Sequence, residues 1–473
     1  MTSNLPEIPL AEIVTIKGGK RLPAGKNLQS IPSKHPYIRV RDVGQRSLPR
    51  EGIEYVPDDV FPSISRYIVQ RNDVVLSIVG TIGALSIVDS FYDYASLTEN
   101  CVKLTGLDYY DALYLYYYLS SSIGQQEISQ GTVGAVQPKL PIYNIEKIKV
   151  LWPEDKDRRK RIAAVLGELD DKIDINRCIN QTLEAMAQAI FKSWFVDFDP
   201  VKAKIAAIQE GRDPMRAAMS AISGKPEAEL DALPPEQYEQ LAAVAALFPD
   251  EMEESELGDI PRGWTPTPIR DVAEVVKGKS YSSRDLVDND EVALVTLKSF
   301  ERGGGFRMDG FKPYVGPYKP EQVVLPGDLI VAYTDVTQAA ELIGKPAVVV
   351  GVDHYKTLVA SLDVGIVRPV NERVSRQFLY GLFMTDAFQA HTFAHTSGTT
   401  VLHLAKDGVP SYVFACPDER LVGSFSAAAE AMAMEKQKLL DQNQSLATLR
   451  DTLLPQLLSG ELSVTGAAAE AEA

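Results

Sequence analysis

Two segments 259 residues apart constrain this chain more than any other feature. "PLAEIVTIKGGK" (9–20) and "PIRDVAEVVKGK" (268–279) align without a gap. Each has a proline, an apolar residue, an acid two positions later, an alternating apolar run and then Gly-Lys. "YIVQRNDVVLSIVG" (67–80) resembles "QVVLPGDLIVAYTD" (322–335), with Asp73 and Asp328 in a turn between β-type runs. That pattern predicts strand–turn–strand in both places. Helical stretches follow, "LDYYDALYLYYYLSSS" and "VSRQFLYGLFMTDAF". After each come a Gly-Thr loop and an apolar strand ending at proline, "IKVLWP" and "SYVFACP". One plan is written twice, so whatever fold the first copy adopts the second must also adopt.

Each copy closes on a long helical segment. From 162, positions spaced 4,3,4,3 are Ile162, Leu166, Leu169, Ile173, Asn176, Asn180, Leu183, Ala187, Ile190 and Trp194. The same offset of 259 gives Leu421, Phe425, Ala428, Met432, Glu435, Leu439, Gln442, Leu446, Leu449 and Leu453. Both series keep an apolar seam with polar residues in its middle, which is a coiled-coil pattern in which polar seam positions fix register and partner. The expectation is that the two helices pair with each other rather than each lying on its own β domain. The first ends in "FKSWFVDFDP", where Trp194 and Phe195 run into a proline-marked acidic segment that returns the chain to the second copy.

The charge is unevenly placed. The chain of 473 residues carries a net −16, which taken alone counts against nucleic acid. Residues 200–259, however, hold thirteen acids and five basic side chains, half of the surplus. Residues 17–50 hold nine basic side chains and one acid, Asp42. The acidic segment, with "RDPMRAAMSAISGKPEAELDALPPEQ" and the helical "PPEQYEQLAAVAALF", is expected to be a solvated connector without a domain core. Cys101, Cys178 and Cys416 are scattered, which fits a reducing compartment. No apolar run reaches bilayer length and the N-terminus lacks a signal pattern, so the expected location is cytoplasmic.

Signals for catalysis are weak. "VKGKS" (276–280) ends like a phosphate-binding loop, but Ala273 stands where that motif needs glycine. "HTFAH" (391–395) has Thr392 where a zinc hydrolase needs glutamate; no metal site is expected. Asp170, Asp171 and Lys172 resemble part of a nuclease set, but the heptad puts them on exposed faces of the helix. The chain is expected to be a binder with no catalytic residues and no cofactor of its own.

"RIAAVLGELDDKIDINRCINQTLEAMAQAIFKSWFVDFDPVKAK" (161–204), followed by "LFPDEMEESELGDIPRGW" (247–264), resembles the specificity (S) subunits of type I restriction-modification systems. The resemblance covers nearly the whole chain and is strongest at "SWFVDF" and "ELGDIPRGW". It implies an α+β fold with two similar, mixed, β-rich target recognition domains, separated by a pair of long antiparallel coiled-coil helices in a pseudo-two-fold internal repeat. The expected divisions are target recognition domain 1 (1–155), a central long helix (156–198), an acidic connector (199–259), target recognition domain 2 (260–417), a second long helix (418–460) and a disordered tail (461–473). Each domain would read half of a bipartite double-stranded DNA target, and the helices would set the gap. Two methyltransferase (M) subunits with S-adenosylmethionine, and restriction (R) subunits using ATP and Mg, are the implied partners. The alternative is a two-headed protein-binding adaptor without DNA specificity.

Candidate DNA contacts follow from charge. In the first domain they are Lys17, Lys20, Arg21, Lys26, Lys34, Arg39, Arg41 and Arg46. Arg39 and Arg41 alternate in "YIRVRDV" and would share a strand face, where arginine is the commonest reader of guanine. In the second domain Lys277, Lys279, Tyr281, Arg284, Lys298, Arg302 and Arg307 take equivalent places, with a weaker patch because acids are interleaved. The loops "GTVGAVQPK" and "TSGTTVLH" add Thr132, Gln137, Lys139, Thr399, Thr400 and His403, with turn capping as the alternative role. Phe191, Trp194 and Phe195 are the expected docking point for methyltransferase subunits.

Overall fold

The computed structural model describes residues 6–134, 136–308, 310–336, 340–351, 355–459 and 462. It is of mixed helix and strand and divides into two units: residues 1–177 with 440–473, and residues 178–439. The expected tail, apart from Leu462, lies outside the described residues.

In the first unit the Thr15–Gly18 strand pairs with Cys101–Thr105, which pairs with Val74–Ser77, which pairs with Leu85–Ile87, all antiparallel. A smaller sheet runs Glu54–Tyr55, Pro36–Ile38, Ser96–Leu97, its last pairing parallel. The second unit repeats this order. Ala273–Lys277, Val364–Pro369, Leu329–Ala332 and Pro346–Val348 form one sheet. Val292–Val295 lies antiparallel to Lys312–Pro313 and parallel to Thr357–Ala360 in the other. The strands before the long helices are also equivalent, Lys149–Leu151 on Glu7–Pro9 and Val413–Cys416 on Thr265–Pro268.

The duplication extends to single atoms. Gly19 and Gly278 each leave the first sheet strand pressed on backbone. A Cβ on Gly19 would lie 2.0 Å from the Thr98 carbonyl oxygen, and one on Gly278 would lie 2.1 Å from that of Ser361. The turn acids also match. Asp73 lies 3.4 Å from Lys103 Nζ, which donates to the Ile68 carbonyl. Asp328 lies 3.2 Å from Arg368 Nη2, which donates to the Val323 carbonyl. In both copies that carbonyl belongs to the residue five before the acid.

The first long helix spans Lys156–Phe195 and the second Glu419–Ser459. Within the first unit, Ile162, Leu166 and Leu169 share a core with Leu453, Leu454, Leu457 and Leu458. Within the second, Phe191, Trp194 and Phe195 share one with Leu421, Val422 and Phe425. Partners advance along one helix as they retreat along the other: Asp170 with Arg450 and Asn176 with Asn443 in the first unit, Glu184 with Lys436 and Trp194 with Phe425 in the second. The helices therefore pair antiparallel in each unit. The seam of the second helix differs from the heptad at two places. Glu435 and Gln442 are exposed, and their neighbours Lys436 and Asn443 turn inward. Asp170 also departs from the expected exposed face: it is 6% exposed because two donors converge on it.

The first long helix ends for a local reason. The amides of Val196 and Asp197 both close on the Lys192 carbonyl, and Phe198 takes left-handed φ 56°. Asp199–Gln209 then starts a new helix with Pro200 in its first turn, where a missing N–H costs nothing.

The segment 199–259 is not the coreless connector its composition suggests. Ala218, Met219, Leu230 and Ala245 form a small apolar core, and Val201 and Phe248 join the large core of the second unit. Lys204 is buried and donates to the Phe248 carbonyl at 2.6 Å. Alanine-rich helices hide this core from composition, because small side chains bury completely without raising hydrophobicity much.

Candidate nucleic-acid interface

The basic run 17–50 is largely neutralised by acids distant in sequence. Arg21 pairs with Glu99, Lys26 with Asp59 and Arg41 with Glu54. Arg39 is turned inward. It begins a 3-10 turn, Val40–Asp42, so the expected strand is broken at the point where it would present an arginine. Its guanidinium bonds Asp42 at 2.8 Å, Glu54 and the Gly52 carbonyl. Arg46 points to the first long helix, bonding Asp171 at 2.5 Å, Asp174 at 3.1 Å and the Gly167 carbonyl at 3.2 Å. Burial disfavours its charge, but Asp171 outweighs that and holds it above the usual arginine range. Neither Arg39 nor Arg46 is placed to read bases, a correction to the expectation from charge.

Four candidates in this unit remain exposed with no ion pair among the described residues: Lys17, Lys20, Lys34 and Lys139. Lys20 sits 5.9 Å from the ring centroid of Tyr67, a half-exposed aromatic the sequence reading missed. In the second unit, Lys277, Lys279, Arg284 and Lys298 carry no ion pair among the described residues. Arg302 pairs with Glu341 at 3.2 Å, and Arg307 is also engaged. Tyr281 is partly buried and accepts from Lys312 Nζ at 3.3 Å. Among the described residues the two units thus keep equal numbers of candidate cations without an ion pair, where interleaved acids suggested a weaker second patch. The repeat aligns Lys20 with Lys279: their backbone amides donate to the equivalent carbonyls of Leu97 and Ala360.

The two Gly-Thr loops are one structure built twice. In the first unit Val133 bridges Lys139, which bridges Val79. In the second, Ser397 pairs with His403, which pairs with Thr334. The amides of Leu140 and Leu404 donate to the equivalent carbonyls of Ile78 and Tyr333. Gly134 at φ +97° and Gly398 at φ +107° turn the tips; a Cβ there would meet the Gln137 or Val401 carbonyl oxygen. Lys139 and His403 therefore occupy the same position, both exposed. Gln137, Thr399 and Thr400 are exposed around the tips, and Val136 is 94% exposed. Thr132 is a cap: its hydroxyl donates to the Ile128 carbonyl at 3.0 Å.

Phe191, Trp194 and Phe195 are 1%, 6% and 7% exposed. Their rings pack on Phe378, Phe425, Phe248 and Trp264. They form core and present no docking surface, which corrects the expectation from the apolar helix end. The aromatics that cover them lie some 50 to 230 residues further along the chain, so no local signal marked them as buried.

Residues 3–185 match the family model described as the type I restriction modification DNA specificity domain. The chain is 29% identical over 340 residues to the type I restriction enzyme HindI specificity subunit of Haemophilus influenzae, covering 69% of this chain and 71% of that one. It is 21% identical over 355 residues to the MjaIX specificity subunit of Methanocaldococcus jannaschii, covering 74% and 69%. A solved S subunit of a type I restriction-modification system from M. genitalium aligns over 97% of both chains with TM-score 0.48 and 12% identity. The chain is similar to the specificity subunits of type I restriction-modification systems over most of its length, which supports a role in DNA sequence recognition. No helix among the described residues is long and apolar enough to cross a membrane.

Proposed function

We propose that each β-rich domain reads one half of a bipartite DNA target, and that the paired long helices set the gap between the halves. The supporting observation is repetition: the same hairpin, with Lys139 or His403 at one position and Lys20 or Lys279 near its domain's first strand, is built in both units. Two equivalent reading surfaces suit two half-sites on one duplex. Exposed lysines supply phosphate affinity, and the hairpin tips supply base-edge contacts. The chemistry belongs to partners: methyltransferase subunits with S-adenosylmethionine, into which the adenine must be flipped, and restriction subunits using ATP and Mg.

The test is one heptad inserted into both long helices, after Asn176 and after Gln442. Each helix lengthens by about 10 Å with its seam in phase. Sequencing of methylated adenines in a host genome should show a changed gap between unchanged half-sites. An unchanged gap, or altered half-sites, would overturn the ruler.

A further inference from the structure

Apolar seams are poorly directional: a domain packed on a helix by leucines alone can roll or slide at small cost. Two carboxylates, Asp170 buried and Glu184 half-buried, remove that freedom. In the first unit Asp170, on the first long helix, accepts from Arg450 Nη1 of the second long helix at 2.7 Å. Its other oxygen accepts from the Tyr117 hydroxyl at 2.7 Å. Tyr117 belongs to the helix Tyr109–Ser120 of the β-rich domain, and its hydroxyl also lies 2.9 Å from the Leu166 carbonyl. In the second unit Glu184 accepts from Lys436 Nζ at 2.8 Å, from the Tyr380 hydroxyl at 2.8 Å and from Gln188 Nε2 at 2.9 Å. Tyr380 lies on the helix Arg376–Phe383 of the second β-rich domain.

Each carboxylate therefore joins three elements: the first long helix, the second long helix and the domain that sits on them. The duplication does not account for this. The offset of 259 places Ala429 opposite Asp170 and Asn443 opposite Glu184. The same chemistry is assembled at non-equivalent positions. Buried ion pairs contribute little net stability against well-packed apolar residues, but they demand one geometry.

We propose that Asp170 and Glu184 are positioning residues that lock the rotation of each domain on the helical pair and so make the gap between half-sites strict. This rests on the ruler reading above.

The test uses the assembled complex in host cells. Tyr117→Phe and Tyr380→Phe each remove one hydroxyl and keep the ring; Asp170→Asn and Glu184→Gln remove the charge. The readout is the distribution of gap lengths among methylated sites whose half-sites are both intact. The expected result is that methylation at gaps one base pair shorter or longer rises roughly ten-fold relative to the native gap, the effect of losing one hydrogen bond to a charged group. A single unchanged gap in all four variants, with methylation merely lowered everywhere, would overturn the proposal. The heptad insertion is run alongside. If it shifts the gap while the four variants stay strict, the joints are ordinary packing and the ruler stands. If it shifts nothing, ruler and joints fall together.

Discussion

Asn176 is fully buried in the helical seam and donates its amide to Gln442 Oε1 at 2.8 Å, with Asn443 Oδ1 at 2.9 Å on its other proton. Its own Oδ1 has no partner. The contact specifies register at a cost, since a buried acceptor without a donor is destabilising. Gln442 is exposed and Asn443 half-exposed, so water can take over from Asn176. We expect Asn176→Leu to raise stability by roughly 1 kcal/mol, read as a higher urea midpoint at constant m-value. A large loss of stability would show that the polar layer holds the helices together.

Trp194 is surrounded by Phe248, Phe425 and Phe195. Trp194→Ala should cost about 3–5 kcal/mol through lost burial and the cavity left behind. The loss belongs to the second unit, so native-state hydrogen exchange should quicken in residues 178–439 whether or not partner subunits are present. Normal exchange in the isolated chain, together with failed assembly, would instead return Trp194 to a docking role.

Lys20 and Lys139 carry no ion pair among the described residues of the first unit. Replacing either with alanine in the assembled complex should weaken duplex binding and reduce the slope of log affinity against log salt by about one. The recognised half-site should not change, because phosphate contacts carry no sequence information. Arg39→Ala and Arg46→Ala should leave the slope unaltered and lower thermal stability, since both arginines are consumed by internal acids. Equal slope changes for all four would mean those ion pairs open on DNA.

Glu184 gives a pH signature. Burial pushes its carboxyl up, but Lys436, Tyr380 and Gln188 outweigh burial and hold it below the usual carboxylate range. A carboxylate lowered by folding adds stability that is complete above its unfolded value, about 4.3, and is lost as pH falls through the lowered one. Glu184→Gln should therefore reduce stability at neutral pH and narrow the difference from the native chain below about pH 4. A difference that persists unchanged at low pH would show that Glu184 acts by shape alone.

The amino-acid sequence by itself determined the duplicated plan and the two long helices with their apolar seams. These are periodic properties: alternation marks strands, a 4,3 spacing marks a seam, and a repeated order of both marks a repeated fold. Gly19 and Gly278 were legible as equivalents from the repeat alone, and the structure supplies the reason: backbone packed against backbone leaves no room for a Cβ. Only the tertiary structure decided which charges stay available. Arg21, Arg39 and Arg46 belong to a basic run in linear order, yet Glu99, Glu54 and Asp171 reach them from elsewhere in the chain. The same holds for Trp194, whose apolar helix end became core once Phe248 and Phe425 closed over it, and for Asp170 and Glu184, whose partners come from two other helices. Periodicity is local and is carried by the chain itself; neutralisation and burial depend on neighbours that only folding brings within a few ångströms.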